Sequence, residues 1–148
     1  AYETIVTGVC SHRNTDFVLE LGADNVIDYT EEDFAQTRNH FDIVYDAFGN
    51  RSLSKVKNCL RRDGRYVTTD IRAGRWLDVP LSRIKPGPVA SVVVVKPGQN
   101  DLESINDFVT NGELEPVVDS IYSLRDAPQA HRYSESRRAR GKIILEVA

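Results

Sequence analysis

The chain has 148 residues, of which 41% are hydrophobic and 28% are charged, and its formal net charge is −3. This length suits one domain with a single core, and the charge gives no global electrostatic reason to expect binding to nucleic acid or to an anionic membrane. No apolar run approaches the ~20 residues that a membrane span needs, so we expect no membrane segment.

The cysteines and histidines form no ligand pattern. Cys10 and Cys59 are the two cysteines, and none of the three histidines is spaced for a shared metal site. A structural zinc site needs about four convergent Cys or His ligands, so we expect no metal in this chain. Two reduced, partly buried thiols suit an intracellular protein, and we expect a cytoplasmic location.

Apolar runs of strand length recur along the first seventy residues. They are bounded by turn signals, and helical or loop-like stretches separate them, so their order predicts an α/β fold with a parallel sheet. Right-handed crossovers place the carboxyl ends of such strands along one edge, where ligands bind in open α/β sheets. The four predicted strands span 4–9, 25–29, 41–49 and 65–70.

Two helices and a loop are predicted between these strands. The first helix begins at Asn14 or Thr15 and ends at Gly22, and residues 30–40 form a loop with one helical turn at most. The second helix begins near residue 50 and has its apolar side chains at i, i+3 and i+7. Those side chains are Leu53, Val56 and Leu60, and an Asp63-Gly64 turn follows.

The remaining half of the chain is less regular. Residues 71–88 contain three prolines and two glycines, which predicts a loop. Farther on, the pattern predicts strands and helices in alternation. These are a strand at 91–96, a helix from Asn100 or Asp101 to Gly112, an extended segment at 117–124, a helix opened by Asp126 with Pro128 in its first turn, and a strand at 142–147.

At this point the residues carry a family resemblance. The string VTGVCSHRN…LGADNVIDYTEEDF…FDIVYDAFGNRSL…LRRDGRYV resembles the nucleotide-binding domain of medium-chain dehydrogenases/reductases. The similarity is closest to the zinc-independent quinone oxidoreductase and enoyl reductase branch. The tail, KPGQNDLESINDFVTNGELEPVVDSIYSL and APQAHRYSESRRARGKIILEV, is similar to the end of those proteins, so the resemblance spans roughly 4–147.

The resemblance implies that part of the family architecture is missing. In the family a GroES-like catalytic domain precedes a Rossmann domain, which opens with a strand, a glycine-rich turn and a helix. Residues 4–9 resemble the second strand of that domain, and no G-x-G-x-x-G motif occurs. We therefore expect residues 1–148 to be a partial Rossmann domain with a C-terminal tail, inactive by itself. The neighbours of the missing central strand would face an open gap with unpaired backbone groups.

The segment after the first strand suggests which dinucleotide is preferred. NAD-preferring members carry an acidic residue there, which accepts hydrogen bonds from the ribose 2′-hydroxyl. The matching residues are Cys10-Ser11-His12-Arg13-Asn14, without a carboxylate. Ser11 and Arg13 suit a 2′-phosphate, which predicts NADP over NAD. The alternative is that Arg13 is a solvated loop residue.

The resemblance also places cofactor contacts at the next two strand ends. A tyrosine at the position of Tyr29 lies near the adenosine phosphate in similar oxidoreductases, although a strand-end tyrosine in water is an equal alternative. Phe48 and Gly49 belong to D-A-F-G, which resembles the family's D-x-V-G turn, whose backbone passes the cofactor ribose. Phe48 replaces the usual valine, and its ring narrows the adenine-side wall or fills the core.

The resemblance implies two further cofactor contacts at positions where this sequence matches the family less well. Thr69-Asp70 stands where the family often has Gly-Gly close to the nicotinamide, and a carboxylate there either repels the cofactor phosphates or accepts a hydrogen bond from a ribose hydroxyl. Lys142 ends a basic A-R-G-K segment that lies close to the cofactor cleft in family members. The alternative for this segment is a solvated helix end that complements the helix dipole.

The implied reaction is hydride transfer from NADPH to a small molecule, either a quinone or an α,β-unsaturated carbonyl. No spacing marks a catalytic triad, so no catalytic residue is assigned, which suits chemistry carried by the cofactor. Zinc-dependent alcohol oxidation stays open for the parent protein. The valine-rich strand 91–96 implies a homodimer, because this edge strand pairs across a two-fold axis in the family. The alternatives are a cofactor-free dimerisation or interaction module and a methyltransferase-like domain.

Overall fold

The computed structural model describes residues 3–69, 78–94, 96 and 98–147. These residues form two compact units, one within 2–96 and one within 97–148, and every strand pair is parallel. The strands are β1 (Thr7–Cys10), β2 (Asn25–Asp28), β3 (Phe41–Asp46), β4 (Leu60–Thr68), β5 (Val89–Val92), β6 (Val118–Ser123) and β7 (Lys142–Glu146). The α-helices are α1 (Thr15–Glu20), α2 (Leu53–Val56), α3 (Asp78–Ile84), α4 (Gln99–Thr110) and α5 (Ala127–Glu135).

The first unit contains two separate sheets, in the orders β1-β2 and β3-β4-β5. The predicted α/β class with parallel strands is therefore confirmed, although the strands do not join into one sheet. Among the described residues, β1 pairs only with β2, and β3 pairs only with β4. One edge of β1 and one edge of β3 thus stay unpaired, as expected of a Rossmann sheet without the strand that separates its two halves.

The core of this unit lies on the three-stranded sheet. Tyr66 of β4, Ala90 of β5 and Val56 of α2 are buried, and the short helical turn Phe34–Gln36 packs against them. Helix α3 is attached to β5 through Ser82, whose Oγ accepts a 3.0 Å hydrogen bond from the Ala90 amide. This sheet therefore has both a buried face and a polar anchor.

Helix α1 packs against the two-stranded sheet. Gly8 of β1 faces Val18 of α1 so closely that a Cβ at Gly8 would collide with the Val18 Cγ1 atom. The predicted stop of this helix is confirmed, because Gly22 adopts φ +95°. None of the residues of β1, α1 and β2, all of which the structure describes, is buried.

In the second unit β6 and β7 pair, and the predicted start of α5 near Asp126 and Pro128 is confirmed. The N-cap of helix α4 lies two residues before Asn100, the nearer of the two predicted caps. Gly98 is its N-cap, and the Gly98 amide donates a 3.1 Å hydrogen bond to Asp101 Oδ2, so Asp101 lies inside the first turn. Gly112 follows the helix with φ +72°, as the predicted stop requires.

The predicted turn at Asp63-Gly64 is wrong. Helix α2 ends at Val56, and β4 runs from Leu60 through this dipeptide, so Leu60 belongs to a strand and not to the helix. The register of β4 against β3 jumps between Phe41↔Leu60 and Ile43↔Arg65. A bulge therefore absorbs the glycine and aspartate that signal a turn in the sequence.

Two predictions for the middle of the chain also need correction. The predicted loop 71–88 contains helix α3, since Pro80 lies in the first turn, where a proline needs no amide partner. The predicted strand 91–96 is β5 at Val89–Val92, so Val93 and Val94 follow the strand instead of extending it. Residues 70–77 and 95 lie outside the described residues.

Candidate functional site

The carboxyl ends of β1 and β2 lie side by side. The Tyr29 amide donates a 3.0 Å hydrogen bond to the Cys10 carbonyl, which continues the ladder past the last strand residues. His12 Nδ1 lies 3.3 Å from Asp28 Oδ2. Thr30 donates to Asp28 Oδ1 from its amide at 2.9 Å and from its hydroxyl at 2.7 Å. A carboxylate from β2 therefore stands beside the strand end of β1.

One oxygen of the Asp28 carboxylate is committed to Thr30, because both Thr30 hydrogen bonds reach Oδ1. The side-chain and backbone hydrogen bonds from Thr30 lower the pKa of Asp28, burial opposes them, and the charge of His12 lowers the pKa further. The carboxyl is therefore ionised at neutral pH. Its Oδ2 atom is buried, accepts no hydrogen bond among the described residues and lies 3.3 Å from His12 Nδ1.

The residues expected to bind a 2′-phosphate lie at this corner. Ser11 is half-buried with extended backbone, and its carbonyl accepts a 2.8 Å bond from the Asn14 amide across the helical turn His12–Asn14. Arg13 in that turn is exposed, and Tyr29 on the neighbouring strand end is 57% exposed. The structure thus places Ser11, Arg13 and Tyr29 on adjacent strand ends.

The ends of β3 and β4 are joined by a second carboxylate, Asp46. It accepts hydrogen bonds from the Gly49 amide at 2.7 Å and from the Arg51 amide at 2.9 Å. The Tyr66 hydroxyl lies 2.9 Å from Asp46 Oδ2 and 2.8 Å from the Arg51 carbonyl, so its proton serves these two acceptors. The Thr68 hydroxyl donates to the Asp46 carbonyl at 3.2 Å.

This carboxylate is buried and ionised. Burial alone would raise the pKa of Asp46, but the hydrogen bonds from the Arg51 and Gly49 amides and the Tyr66 hydroxyl together hold it below its ordinary value. These hydrogen bonds hold segment 47–51 in a closed turn around the Asp46 carboxylate. We name this segment the β3 loop.

The β3 loop presents one aromatic ring. Phe48 at its tip is 66% exposed, and Gly49 behind it adopts φ +74°, which favours glycine. The Thr69 hydroxyl donates to the Ala47 carbonyl at 3.2 Å, so it fixes the first residue of the loop. Phe48, Gly49 and Thr69 are therefore brought together, and Phe48 does not fill the core.

Lys142 and Asp70 complete the sequence-predicted positions. Lys142 is exposed at the start of β7 in the second unit, and its amide donates to the Val117 carbonyl at 2.8 Å. Asp70 lies outside the described residues.

The described residues do not supply a metal centre. Within residues 3–69, 78–94, 96 and 98–147, no group of three or more His, Cys, Asp or Glu side chains converges to hold an ion. The same residues contain no helix long and apolar enough to cross a membrane.

With the parallel fold and these strand ends described, the comparison with known families is decisive. The family model for zinc-binding dehydrogenases matches residues 21–145. The chain belongs to the zinc-binding dehydrogenase family.

Individual relatives agree with this assignment. The chloroplastic quinone-oxidoreductase QR1 of Triphysaria versicolor is 32% identical over 152 residues, which cover 97% of this chain and 45% of that protein. The chloroplastic NADPH-dependent alkenal/one oxidoreductase of Arabidopsis thaliana is 27% identical over 142 residues, covering 95% and 33%.

A solved structure gives the same result. The quinone oxidoreductase from Coxiella burnetii matches with a TM-score of 0.79 and 28% identity, covering 98% of this chain and 45% of that one. The resemblance to the quinone oxidoreductase branch of medium-chain dehydrogenases/reductases is therefore confirmed. The chain spans less than half the length of the relatives named here.

The sequence interpretation missed four polar side chains at these corners: His12, Asp28, Asp46 and Tyr66. Strand register carries the signal for Asp28, because it pairs with Cys10 at the end of β1. The sequence shows Asp46 directly before A-F-G. Only the folded loop shows that its carboxylate accepts hydrogen bonds from amides three and five residues later. Nothing in the sequence marks Tyr66 as more than an apolar strand residue.

Proposed function

We propose that this chain is the cofactor-binding portion of an NADPH-dependent reductase of quinones or α,β-unsaturated carbonyls. The activities named for the two plant relatives support the substrate class. The observation that carries the proposal is the donor pair Ser11 and Arg13 at the end of β1, where residues 10–14 contain no carboxylate.

In this proposal the strand-end residues bind and orient the dinucleotide. The Ser11 hydroxyl and the Arg13 guanidinium hydrogen-bond the 2′-phosphate, because both are donors and one is cationic. Asp28 ends the neighbouring strand β2, whereas residues 10–14 at the end of β1 contain no carboxylate that would select a ribose 2′-hydroxyl. These roles predict NADPH over NADH.

The second corner supplies an apolar wall. The exposed Phe48 ring and the Gly49 backbone line the path of the cofactor, with Thr69 fixing the loop beside them and Tyr29 flanking the adenosine side. When bound, the nicotinamide supplies the hydride. The chain's own residues position it and no described residue is assigned proton or nucleophile chemistry.

We further propose that residues 1–148 act together with a GroES-like catalytic domain and with the strand, glycine turn and helix that open a Rossmann fold. The unpaired edges of β1 and β3 support this, since a parallel strand between them would satisfy both. Homodimerisation through 91–96, a cofactor contact of Lys142 and a cytoplasmic location remain predictions, and the first now rests on Val89–Val92 and the residues that follow it.

The experiment is a calorimetric titration of the chain with NADPH and with NADH, with the intact mass measured on the same sample. We expect NADPH-selective binding. Arg13→Ala should weaken NADPH binding about 10- to 100-fold, the equivalent of a charge-assisted hydrogen bond of ~1.5–3 kcal/mol, and should leave NADH nearly unchanged. Arg38→Ala, an exposed arginine in the loop before β3, is the matched control. Equal losses for both dinucleotides would contradict the 2′-phosphate role.

A cofactor-free interaction module is the second candidate, because the unpaired edges of β1 and β3 offer backbone groups to another strand. It predicts that neither dinucleotide binds the folded chain. The same titration therefore separates the two candidates.

A further inference from the structure

The β3 loop is held at both of its ends. At its start, the hydroxyls of Thr68 and Thr69 donate to the carbonyls of Asp46 and Ala47, each at 3.2 Å. At its end, Arg51 Nη2 lies 3.1 Å from Asp33 Oδ1. The Arg51 guanidinium also stands 5.5 Å from the centre of the Phe34 ring, in cation–π range. These contacts attach the loop to β4 and to the turn Phe34–Gln36.

Inside the loop, one buried carboxylate takes the backbone donors. Asp46 is 8% exposed and accepts from the amides of Gly49 and Arg51. These amides point inward at a protein anion, so they are not offered to a cofactor phosphate. The part of the loop left for a ligand is therefore its outer side, where the Phe48 side chain is exposed.

Tyr66 connects this arrangement to the core. Its ring is 2% exposed among the buried residues of the three-stranded sheet, whereas its hydroxyl reaches both Asp46 and the Arg51 carbonyl. A hydroxyl that is held by a packed ring has little freedom to move. The position of the loop is thereby tied to the best-packed part of the chain.

We propose that Asp46 and Tyr66 are positioning residues, which fix the β3 loop so that the Phe48 ring forms a preset apolar wall for the aromatic part of the dinucleotide. This inference rests on the proposed function, and it assigns the dinucleotide contact of the loop to a side chain and not to backbone amides. Neither residue touches the cofactor in this account.

The test measures loop order and NADPH binding separately. Hydrogen exchange of the Gly49 and Arg51 amides reports the loop, and calorimetry with NADPH reports binding. Asp46→Asn should accelerate exchange at both amides and weaken NADPH binding about five- to tenfold, because charged acceptors make the stronger hydrogen bonds. Asp42→Asn is the matched control, since this exposed carboxylate on the same strand accepts from the Arg61 side chain and not from the β3 loop among the described residues.

A double-mutant cycle distinguishes positioning from general stability. Phe48→Ala should weaken NADPH binding about fivefold in the wild-type background and less than about twofold in the Asp46→Asn background, because a displaced ring has little contact left to lose. If Asp46 only stabilised the fold, Phe48→Ala would weaken NADPH binding by the same factor in both backgrounds. That result would overturn the inference.

The remaining outcomes are also decisive. If Asp46→Asn does not fold, Tyr66→Phe takes its place, because it keeps the ring and the carboxylate and removes one donor. Faster exchange at Gly49 with weaker NADPH binding in Tyr66→Phe would support the inference, and unchanged values would overturn it. NADPH binding that all these variants leave intact would overturn the inference alone. Absence of NADPH binding by the wild-type chain would overturn the proposed function as well.

Discussion

The two sheets of the first unit are both parallel but differ in packing. The buried apolar side chains of this unit, among those described, lie in or beside the β3-β4-β5 sheet. In the β1-β2 sheet, Ile5 just before β1 is 84% exposed and Val9 is 43% exposed. Strand pattern alone therefore does not determine burial, which requires a second layer.

The two strand-end carboxylates show the same contrast. Asp28 closes a corner at the surface with a threonine and a histidine, whereas Asp46 closes a buried loop with two amides and a tyrosine hydroxyl. Surface polar contacts exchange with water at little net gain, and buried ones are costly to break. The β3 corner is thus the more firmly held of the two.

The largest expected effect comes from a cavity in the better-packed sheet. Leu60 is 3% exposed, so Leu60→Ala should lower the free energy of unfolding by about 2–5 kcal/mol. Leu19→Ala in α1 is the matched control, because that leucine is 44% exposed and should cost less than about 1 kcal/mol. Urea unfolding followed by circular dichroism measures both. Equal losses would mean that the two sheets are equally well packed.

Thiol reactivity separates the same two regions without changing the core. Burial raises the pKa of the Cys59 thiol, whose Sγ also donates to the Val56 carbonyl at 3.0 Å, whereas Cys10 in β1 is only half-buried. Cys10 should therefore react with an aromatic disulfide reagent at least about 100-fold faster than Cys59. The variant Cys10→Ser isolates Cys59, which should react at a measurable rate only in urea. A fast reaction of this variant without denaturant would contradict the buried site.

Much of this fold was predictable because its signals are local. Alternation of strands and helices, the glycine stop at Gly22 and the start of α5 follow from periodicity and capping. The errors arise where distant groups decide. The β4 bulge places Gly64 against the carbonyls of Arg61 and Asp42, which no turn rule anticipates. Strand order followed from the resemblance and not from the residues themselves.

The candidate site was predictable to a lesser degree, for a related reason. The sequence places Ser11, Arg13 and Phe48 after predicted strands, where the structure also has them, and their cofactor contacts stay predictions. Asp28 and Tyr66 were missed because their roles depend on register and on a hydroxyl reaching between strands. Sequence reasoning therefore identifies which residues reach the edge of a parallel sheet more readily than which residues hold that edge in place.

A smaller effect is expected where β1 meets α1. A Cβ at Gly8 would collide with Val18, so Gly8→Ala should destabilise this sheet by about 1–3 kcal/mol through overpacking. Hydrogen exchange of the β2 amides measures the loss locally. In the Val18→Ala background the same change should cost much less, because the obstructing methyl group is gone. Equal costs in both backgrounds would show that β1 and α1 do not pack as described.

The smallest effect concerns the dependence of stability on pH at the two carboxylates. Both pKa values are lowered in the folded chain, so each carboxylate contributes stability that is fully present above its unfolded pKa of about 3.9 and is lost as the pH falls through the folded value. Wild-type stability should therefore decline from about pH 5 downwards, and both Asp46→Asn and Asp28→Asn should flatten that decline.

Salt concentration distinguishes the two contributions. The bonds of Asp46 are buried and go mainly to amides and a hydroxyl, so the difference between wild type and Asp46→Asn should persist in 1 M salt, where the Debye length is about 3 Å. The histidine side of the contact between Asp28 and His12 is exposed, so the contribution of this contact to stability should decrease in 1 M salt. Thermal unfolding at a series of pH values, with and without salt, measures both differences. If salt reduced the stability contributions of Asp46 and Asp28 equally, Asp46 would have to be exposed to solvent. The distinction between the buried β3 corner and the exposed β1 corner would then be lost.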